Sequence, residues 1–151
     1  MSEELVVARI IQHFGSEVFS EKPFIKKGKI FMRVDRECLR RLIEFLKNNG
    51  FKRLLAITGL ETDEGVELLY HLGGGKALLN IRVKLPLNNV VAPSISDIFL
   101  GAVVYEREIY DMFGVKFQGD QNFKRLLLPD DWPNDVHPMR RTRFEKKGEA
   151  K

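Results

Sequence analysis

The amino-acid sequence predicts an α+β fold of order αββαβββα with a mostly antiparallel sheet, followed by an irregular extended C-terminal segment. Three observations carry that prediction. Two early stretches repeat apolar residues at helical spacing, whereas Ala77, Leu79, Ile81, Val83 and Leu85 alternate with polar Asn80, Arg82 and Lys84, the period of a strand with one buried face. The strand candidates follow one another through short links, which suit antiparallel neighbours. Beyond Gly114 the periodicity stops, and Gly119, Pro129, Pro133 and Pro138 interrupt the chain. The expected organisation is an α+β domain over 1–114 and a partner-docking tail over 115–151.

Taken in order, Leu5, Val6, Ala8, Ile10 and Phe14 form the stripe of a first helix that Gly15 ends. A short strand around 17–19 and a second over 29–34 follow, separated by a loop holding Pro23 and Gly28. Asp35 is placed to N-cap a second helix, in which Leu39, Leu42, Ile43 and Leu46 recur until Gly50. Strands are expected over 51–58, 66–72 and 77–85, with turns at 61–65 and at Gly73-Gly74-Gly75. The Gly-Gly-Gly-Lys76 run lacks the earlier glycine and the following Ser or Thr of a phosphate loop, and it precedes a strand, so it reads as a hairpin turn. Ser94, with Asp97 three residues on, resembles a capping box opening a last helix that runs to Phe113.

A chain of 151 residues with 44% hydrophobic and 30% charged content can bury the core of a single globular domain. Its longest apolar runs are far short of the roughly 20 residues a membrane-spanning helix needs. The acidic start, Ser2-Glu3-Glu4, has no secretory-signal character, and a cytosolic setting is expected. Cys38 stands alone in the second helical pattern and reads as a small buried hydrophobe; it cannot form an internal disulfide or by itself hold an iron–sulfur cluster. His13, His71 and His137 lie too far apart for metal-ligand spacing. The formal charge of +4 is too mild for a nucleic-acid signature. The competing reading, a stand-alone nucleic-acid-binding α+β module, requires aromatics clustered on a strand face, and the strand candidates offer Tyr70 and Phe51 but no clustered aromatic pair.

The last helix carries the main local conflict. Ile95, Phe99, Ala102, Ile109 and Phe113 line one face, and Glu106 falls in the middle of it, whereas Arg107, Glu108 and Asp111 point to the flanks or the far side. A carboxylate on a buried stripe is costly unless it is paired or hydrogen-bonded. Three readings stand. Glu106 is satisfied internally by an arginine or backbone amides, it receives a group from a neighbouring chain, or it is catalytic, although no second acid or nucleophile is placed beside it. Downstream, Phe117, Phe123 and Trp132 are large anchors among Arg125, Arg140, Arg141 and Arg143, which can clamp carboxylates. Such a composition suits docking on a partner, and the alternative is that Phe117 and Trp132 fold back onto the domain.

The run Glu106-Arg107-Glu108-Ile109-Tyr110-Asp111-Met112-Phe113-Gly114-Val115 resembles the E-R-E-x-x-D-hydrophobic-F-G signature of the thirty-kilodalton subunit family of respiratory complex I, the NADH dehydrogenase. Phe117-Gln118-Gly119, the segment from Lys124 through Pro129, Asp130, Asp131 and Trp132, and His137-Pro138-Met139-Arg140-Arg141 resemble that family's R-x-L-L-P-x-D-W and H-P-L-R-K blocks. Asp120-Gln121 stands where His-Pro is common and Val104 where Trp is frequent. Short, lysine-rich versions are expected in membrane-bound nickel–iron hydrogenase, sulfane reductase and formate hydrogenlyase complexes.

The resemblance implies a non-catalytic, cofactor-free member of the peripheral arm of a membrane-bound, redox-driven ion-pumping complex. Its partners would be the large catalytic subunit, of the kind found in complex I or in hydrogenases, and neighbouring iron–sulfur subunits. No nucleic acid is implied, and the membrane is met only through the complex, on its cytoplasmic face. Any oxidoreductase activity would belong to the complex, of NADH:quinone or ferredoxin-linked hydrogenase type. The residues implied to bind partners are Glu106, Arg107, Glu108, Asp111, Phe113, Phe117, Arg125, Asp130, Asp131, Trp132, His137, Arg140 and Arg141.

The ligand inventory generates the first test. The purified chain is expected to show no visible absorbance and no stoichiometric iron or nickel, as read by absorption spectroscopy and elemental analysis.

Overall fold

A computed structural model describes residues 2–119, 133 and 136–140. The chain opens with α1 (Glu3–Phe14), whose first turn is capped by the Ser2 hydroxyl accepting from the Leu5 amide. After a short 3-10 turn come β1 (Phe19–Lys26), β2 (Lys29–Val34) and α2 (Arg36–Asn48). Three long strands follow, β3 (Arg53–Thr62), β4 (Gly65–Gly74) and β5 (Ala77–Pro86), and then β6 (Val91–Pro93), α3 (Ala102–Phe113) and β7 (Lys116–Gln118).

The sheet has the order β1-β2-β5-β4-β3. Its hairpins β1–β2, β3–β4 and β4–β5 are antiparallel, and β2 runs parallel to β5 because α2 and β3–β4 lie between them in the chain. The short strands β6 and β7 pair separately and in parallel. The fold is thus α+β with a mixed, mostly antiparallel five-stranded sheet.

Alternation along the strands decides where the core lies. Ile30, Met32 and Val34 of β2, Leu79, Ile81, Val83 and Leu85 of β5, and Val66, Leu68, Tyr70 and Leu72 of β4 are buried. They share one cluster with Val6 and Ile10 of α1, Leu39, Leu42, Ile43 and Leu46 of α2, and Ile109 and Phe113 of α3. All three helices therefore cover the same face. The alternate residues, including Phe31, Arg33, Leu69, His71, Asn80 and Arg82, look the other way, and no described helix covers them.

Several local expectations are corrected. Residues 16–18 form a 3-10 turn, and the first strand runs from Phe19 straight through Pro23. Proline is tolerated because β1 is an edge strand, and the register shifts on either side of Glu21 accommodate the missing donor. Lys27 and Gly28, both at positive φ, close the two-residue turn to β2. That turn sets Phe24 opposite Phe31, so an aromatic pair does lie on a strand face, with ring centroids 4.9 Å apart. The last helix begins at Ala102, later than the Ser94 signal indicates. Ser94 does not cap it because its hydroxyl is committed elsewhere, as described below.

The hairpins also come out tighter than expected, with Asp63-Glu64 and Gly75-Lys76 as the connecting residues. Gly65 has φ +154°, and a side chain there would drive into the Leu85 carbonyl oxygen; Gly75 has φ +58° with open space around it. Gly65→Ala is expected to cost about 2–4 kcal/mol from clash and strain, against about 1 kcal/mol for Gly75→Ala, in urea denaturation.

Candidate functional site

The conflict at Glu106 resolves through the loop between β6 and α3. Ala102, Ile109 and Phe113 share its helix face and are buried, and Glu106 itself is 0% exposed. One carboxylate oxygen, Oε2, accepts from the Ser94 hydroxyl at 2.7 Å, and Oε1 accepts from the Ile95 amide at 2.8 Å. Hydrogen bonds to a charged acceptor are worth about 1.5–3 kcal/mol each, enough to offset much of the desolvation. Ser94 Oγ also accepts from the Ser96 amide at 3.2 Å and lies 2.9 Å from the Ser96 hydroxyl. Since the single Ser94 hydroxyl proton goes to Glu106, Ser96 is the donor in that contact. Of the three readings of Glu106, the geometry favours internal satisfaction by a hydroxyl and a backbone amide.

Tyr70 lies fully buried on the same side of the sheet, and its hydroxyl has no hydrogen-bond partner among the described residues. Burial, and after it the Glu106 carboxylate, pushes that hydroxyl well above the ordinary tyrosine range. It therefore stays protonated at any working pH.

The same loop, and the stretch 89–91 that leads into it through β6, are held from the other side by α2. Arg36, Arg40 and Lys47 fall on one face of that helix. Arg36 Nη1 donates to the Asn89 and Val91 carbonyls at 2.7 and 3.0 Å. Arg40 donates to the Ser94 carbonyl at 2.5 Å and bidentately to Asp97 at 2.7 Å. Lys47 Nζ donates to the Ile98 carbonyl at 2.5 Å and lies over the Phe99 ring, 5.3 Å from its centroid. The loop's carbonyls thus meet cations from α2, while a hydroxyl and an amide of the same loop meet the anion of α3. The Arg40 guanidinium beside Asp97 holds that carboxyl below the ordinary aspartate range.

The C-terminal end of α3 is closed by the segment 136–140. The Tyr110 carbonyl accepts from the Gly114 amide and the Met112 carbonyl from the Met139 amide, both at 2.9 Å. The Asp111 carbonyl lies 3.0 Å from His137 Nδ1, so Nδ1 carries the proton there, and the Phe113 carbonyl accepts from Arg140 Nη1 at 3.0 Å. All four terminal carbonyls that a helix leaves unpaired are therefore satisfied, and the guanidinium of Arg140 complements the negative end of the dipole. Arg140 Nε also reaches Glu61 Oε1 at 3.1 Å, tying this end to β3. Gly114, at φ +76°, ends the helix and leaves room for the His137 ring, which a side chain would strike.

The residues implied to bind partners therefore divide. Glu106, Asp111, Phe113 and Phe117 are buried within the domain, and Phe117 sits in β7 beside β6. His137 and Arg140 face the end of α3, and half-buried Arg107 has its Nε enclosed without a hydrogen-bond partner among the described residues. Glu108 is exposed. Arg125, Asp130, Asp131, Trp132 and Arg141, and with them Phe123 and Arg143, lie outside the described residues.

Sequence reasoning did not find Arg36, Arg40 or Lys47, because charged residues flanking a leucine stripe read as a solvated helix face, nor Glu61, which it placed in a turn. Only the spacing of the three cations along one side of α2 hinted at a shared task. Among the described residues no cluster of His, Cys, Asp or Glu is arranged to hold a metal ion. None of the described helices is long and apolar enough to cross a membrane.

Comparison with known proteins covers both sequence and fold. Residues 32–148 match the family described as respiratory-chain NADH dehydrogenase, 30 Kd subunit. The membrane-bound hydrogenase subunit beta of Pyrococcus furiosus is 33% identical over 146 residues, covering 91% of this chain and 83% of that one. The C-type subunit of the NADH-quinone oxidoreductase of Moorella thermoacetica is 36% identical over 109 residues, covering 70% and 72%. In fold, the chain resembles one from the membrane-bound sulfane sulfur reductase, an archaeal respiratory membrane complex, with a TM-score of 0.79 at 23% identity over 98% of this chain and 91% of that one.

Two expectations follow from the site. Glu106→Ala should destabilise the domain by about 2–5 kcal/mol and Ser94→Ala by about 1–3 kcal/mol, with a double-mutant cycle by urea denaturation showing strong coupling between them. The Arg40–Asp97 contribution should be present above the unfolded carboxylate range near pH ~3.9 and be lost as pH falls through the lower folded value. With the Asp97 side chain 64% exposed, it should amount to less than about 1 kcal/mol. Asp97→Asn should remove that pH-dependent increment from the melting temperature between pH ~2 and ~5.

Proposed function

The chain belongs to the 30 Kd subunit family of the respiratory-chain NADH dehydrogenase, and from that premise we propose that it is a non-catalytic subunit in the peripheral arm of a membrane-bound redox complex. The relatives named above are subunits of NADH-quinone oxidoreductase and of membrane-bound hydrogenase, and the proposal covers both kinds of assembly. One observation carries it. Of the residues that bear the family resemblance, those at 106–114 and 137–140 are spent on locking α3 at its middle and its C-terminal end, Glu106 to the 94–95 loop and the last carbonyls to His137, Met139 and Arg140. This local chemistry makes a rigid support, and a rigid support is what docking on a larger partner requires.

In this reading the large catalytic subunit packs against the outer side of α3 and the segment 115–151, which β7 anchors to the domain. Glu108 and Arg107 supply contacts from the helix, and Arg125, Asp130, Asp131, Trp132 and Arg141 supply an aromatic anchor with charge-assisted hydrogen bonds around it. Glu106, Asp111, Phe113, Phe117, His137 and Arg140 hold the surface in shape. The chain carries no cofactor of its own, meets the membrane only through its partners, and lies on the cytoplasmic face.

The test is purification of a tagged chain from detergent-solubilised membranes of its own organism. A large catalytic subunit of hydrogenase or quinone-reductase type should co-purify, and Trp132→Ala should reduce that recovery at least about tenfold. Recovery of the chain alone, or an undiminished complex with Trp132→Ala and Arg125→Ala, would sink the assignment.

A further inference from the structure

We propose that the sheet face that no described helix covers is a second docking surface, which receives an apolar, carboxylate-bearing segment of another member of the same complex. The inference rests on the function proposed above and adds a partner to it. Because α3 lies on the opposite face, a large partner seated there leaves this face available.

The face has a built centre. Phe24 and Phe31 stack with an interplanar angle of 12°, and Phe24 is 58% exposed, a large apolar surface that nothing in the described structure covers. Beside them a groove of about 300 Å³ runs over Leu69, His71 and Asn80, with room for a large side chain. Its floor is fixed. His71 is held by Asn80 at 2.5 Å and by Thr58 at 3.3 Å, so both ring nitrogens are engaged and neither is offered to a metal.

Charge selects the occupant. Glu67 is almost buried between Arg33, 3.5 Å away, and Arg82, 3.4 Å away, and Arg33 also approaches Glu21 at 3.6 Å. Lys22 lines the same groove and makes no ion pair among the described residues. Three cations thus face two carboxylates, and the remaining positive charge suits an incoming Asp or Glu flanking an apolar anchor. A polyphosphate backbone fits less well, because Glu21 and the fixed Glu67 would stand against it. The aromatic pair also presents one exposed ring where sheet-face RNA binders offer several for stacking.

The purified complex and the isolated chain are to be compared by hydroxyl-radical footprinting. Oxidation of Phe24 and Phe31 should fall at least about fivefold in the complex. Phe24→Ser and Lys22→Glu should leave the isolated chain's melting temperature and the large partner's recovery unchanged, while recovery of a second partner drops at least about tenfold. Equal oxidation of Phe24 in both states, or a full complement of subunits with both variants, would overturn this inference and leave the functional assignment standing. Failure of any partner to co-purify would overturn both. Salt-dependent binding of a labelled single-stranded RNA oligonucleotide to the isolated chain, abolished by Phe24→Ser, would reassign the face to nucleic acid and likewise overturn it.

Discussion

A carboxylate shut away from water has to be given its donors by the protein, and the placement of α3 follows from that requirement at Glu106. The helix face that packs on the sheet is apolar except at this position. The donors come from the Ser94 hydroxyl and the Ile95 amide, which sit where the chain leaves β6 and enters a turn closed on the Ile95 carbonyl by the Ile98 and Phe99 amides. Each element settles the other: the loop supplies what the carboxylate lacks, and the carboxylate orders the loop. Removing one partner strands the other in a site of low dielectric, which makes such pairs sensitive determinants of a unique packing arrangement.

The stabilisation extends outward in both directions. On one side the cations of α2 occupy the carbonyls of residues 89, 91, 94 and 98, so the loop is clamped between positive charge on its acceptors and negative charge on its donors. On the other side the end of α3 is finished by residues distant in the chain, His137, Met139 and Arg140. A helix of twelve residues would fray in isolation. Here its middle and its C-terminal end are tied to separate parts of the fold, and the Arg140–Glu61 pair joins it to an edge strand.

With all three described helices on one side, the sheet carries two surfaces of different character. One is the sealed core. The other mixes arginines and carboxylates around an exposed phenylalanine stack, which sets it apart from the evenly polar outer face of many antiparallel sheets. A two-layer domain of this kind can meet neighbours through its helical end and its sheet face at once, which suits a chain whose relatives are parts of multi-subunit assemblies.

The α+β class, the three long strands and α2 were legible because they rest on local periodicity, and alternation in β5 or leucines every three to four residues in α2 follow from backbone geometry alone. Motif resemblance marked the end of α3, and helical phase placed Glu106 on a buried face. Local signals misled where a side chain had a distant use. Ser94 and Asp97 had the spacing of a capping box, yet Ser94 serves Glu106 and Asp97 serves Arg40. Pro23 looked like a loop residue because the sequence does not reveal that β1 lies at an edge, and so the Phe24–Phe31 pair went unseen. The sequence by itself determined α1, α2 and the three long strands, and that Glu106 would need donors. Only the tertiary structure decided which groups supply them, which face of the sheet stays open and what closes α3, because those outcomes depend on contacts between residues up to 79 positions apart, which no local pattern encodes.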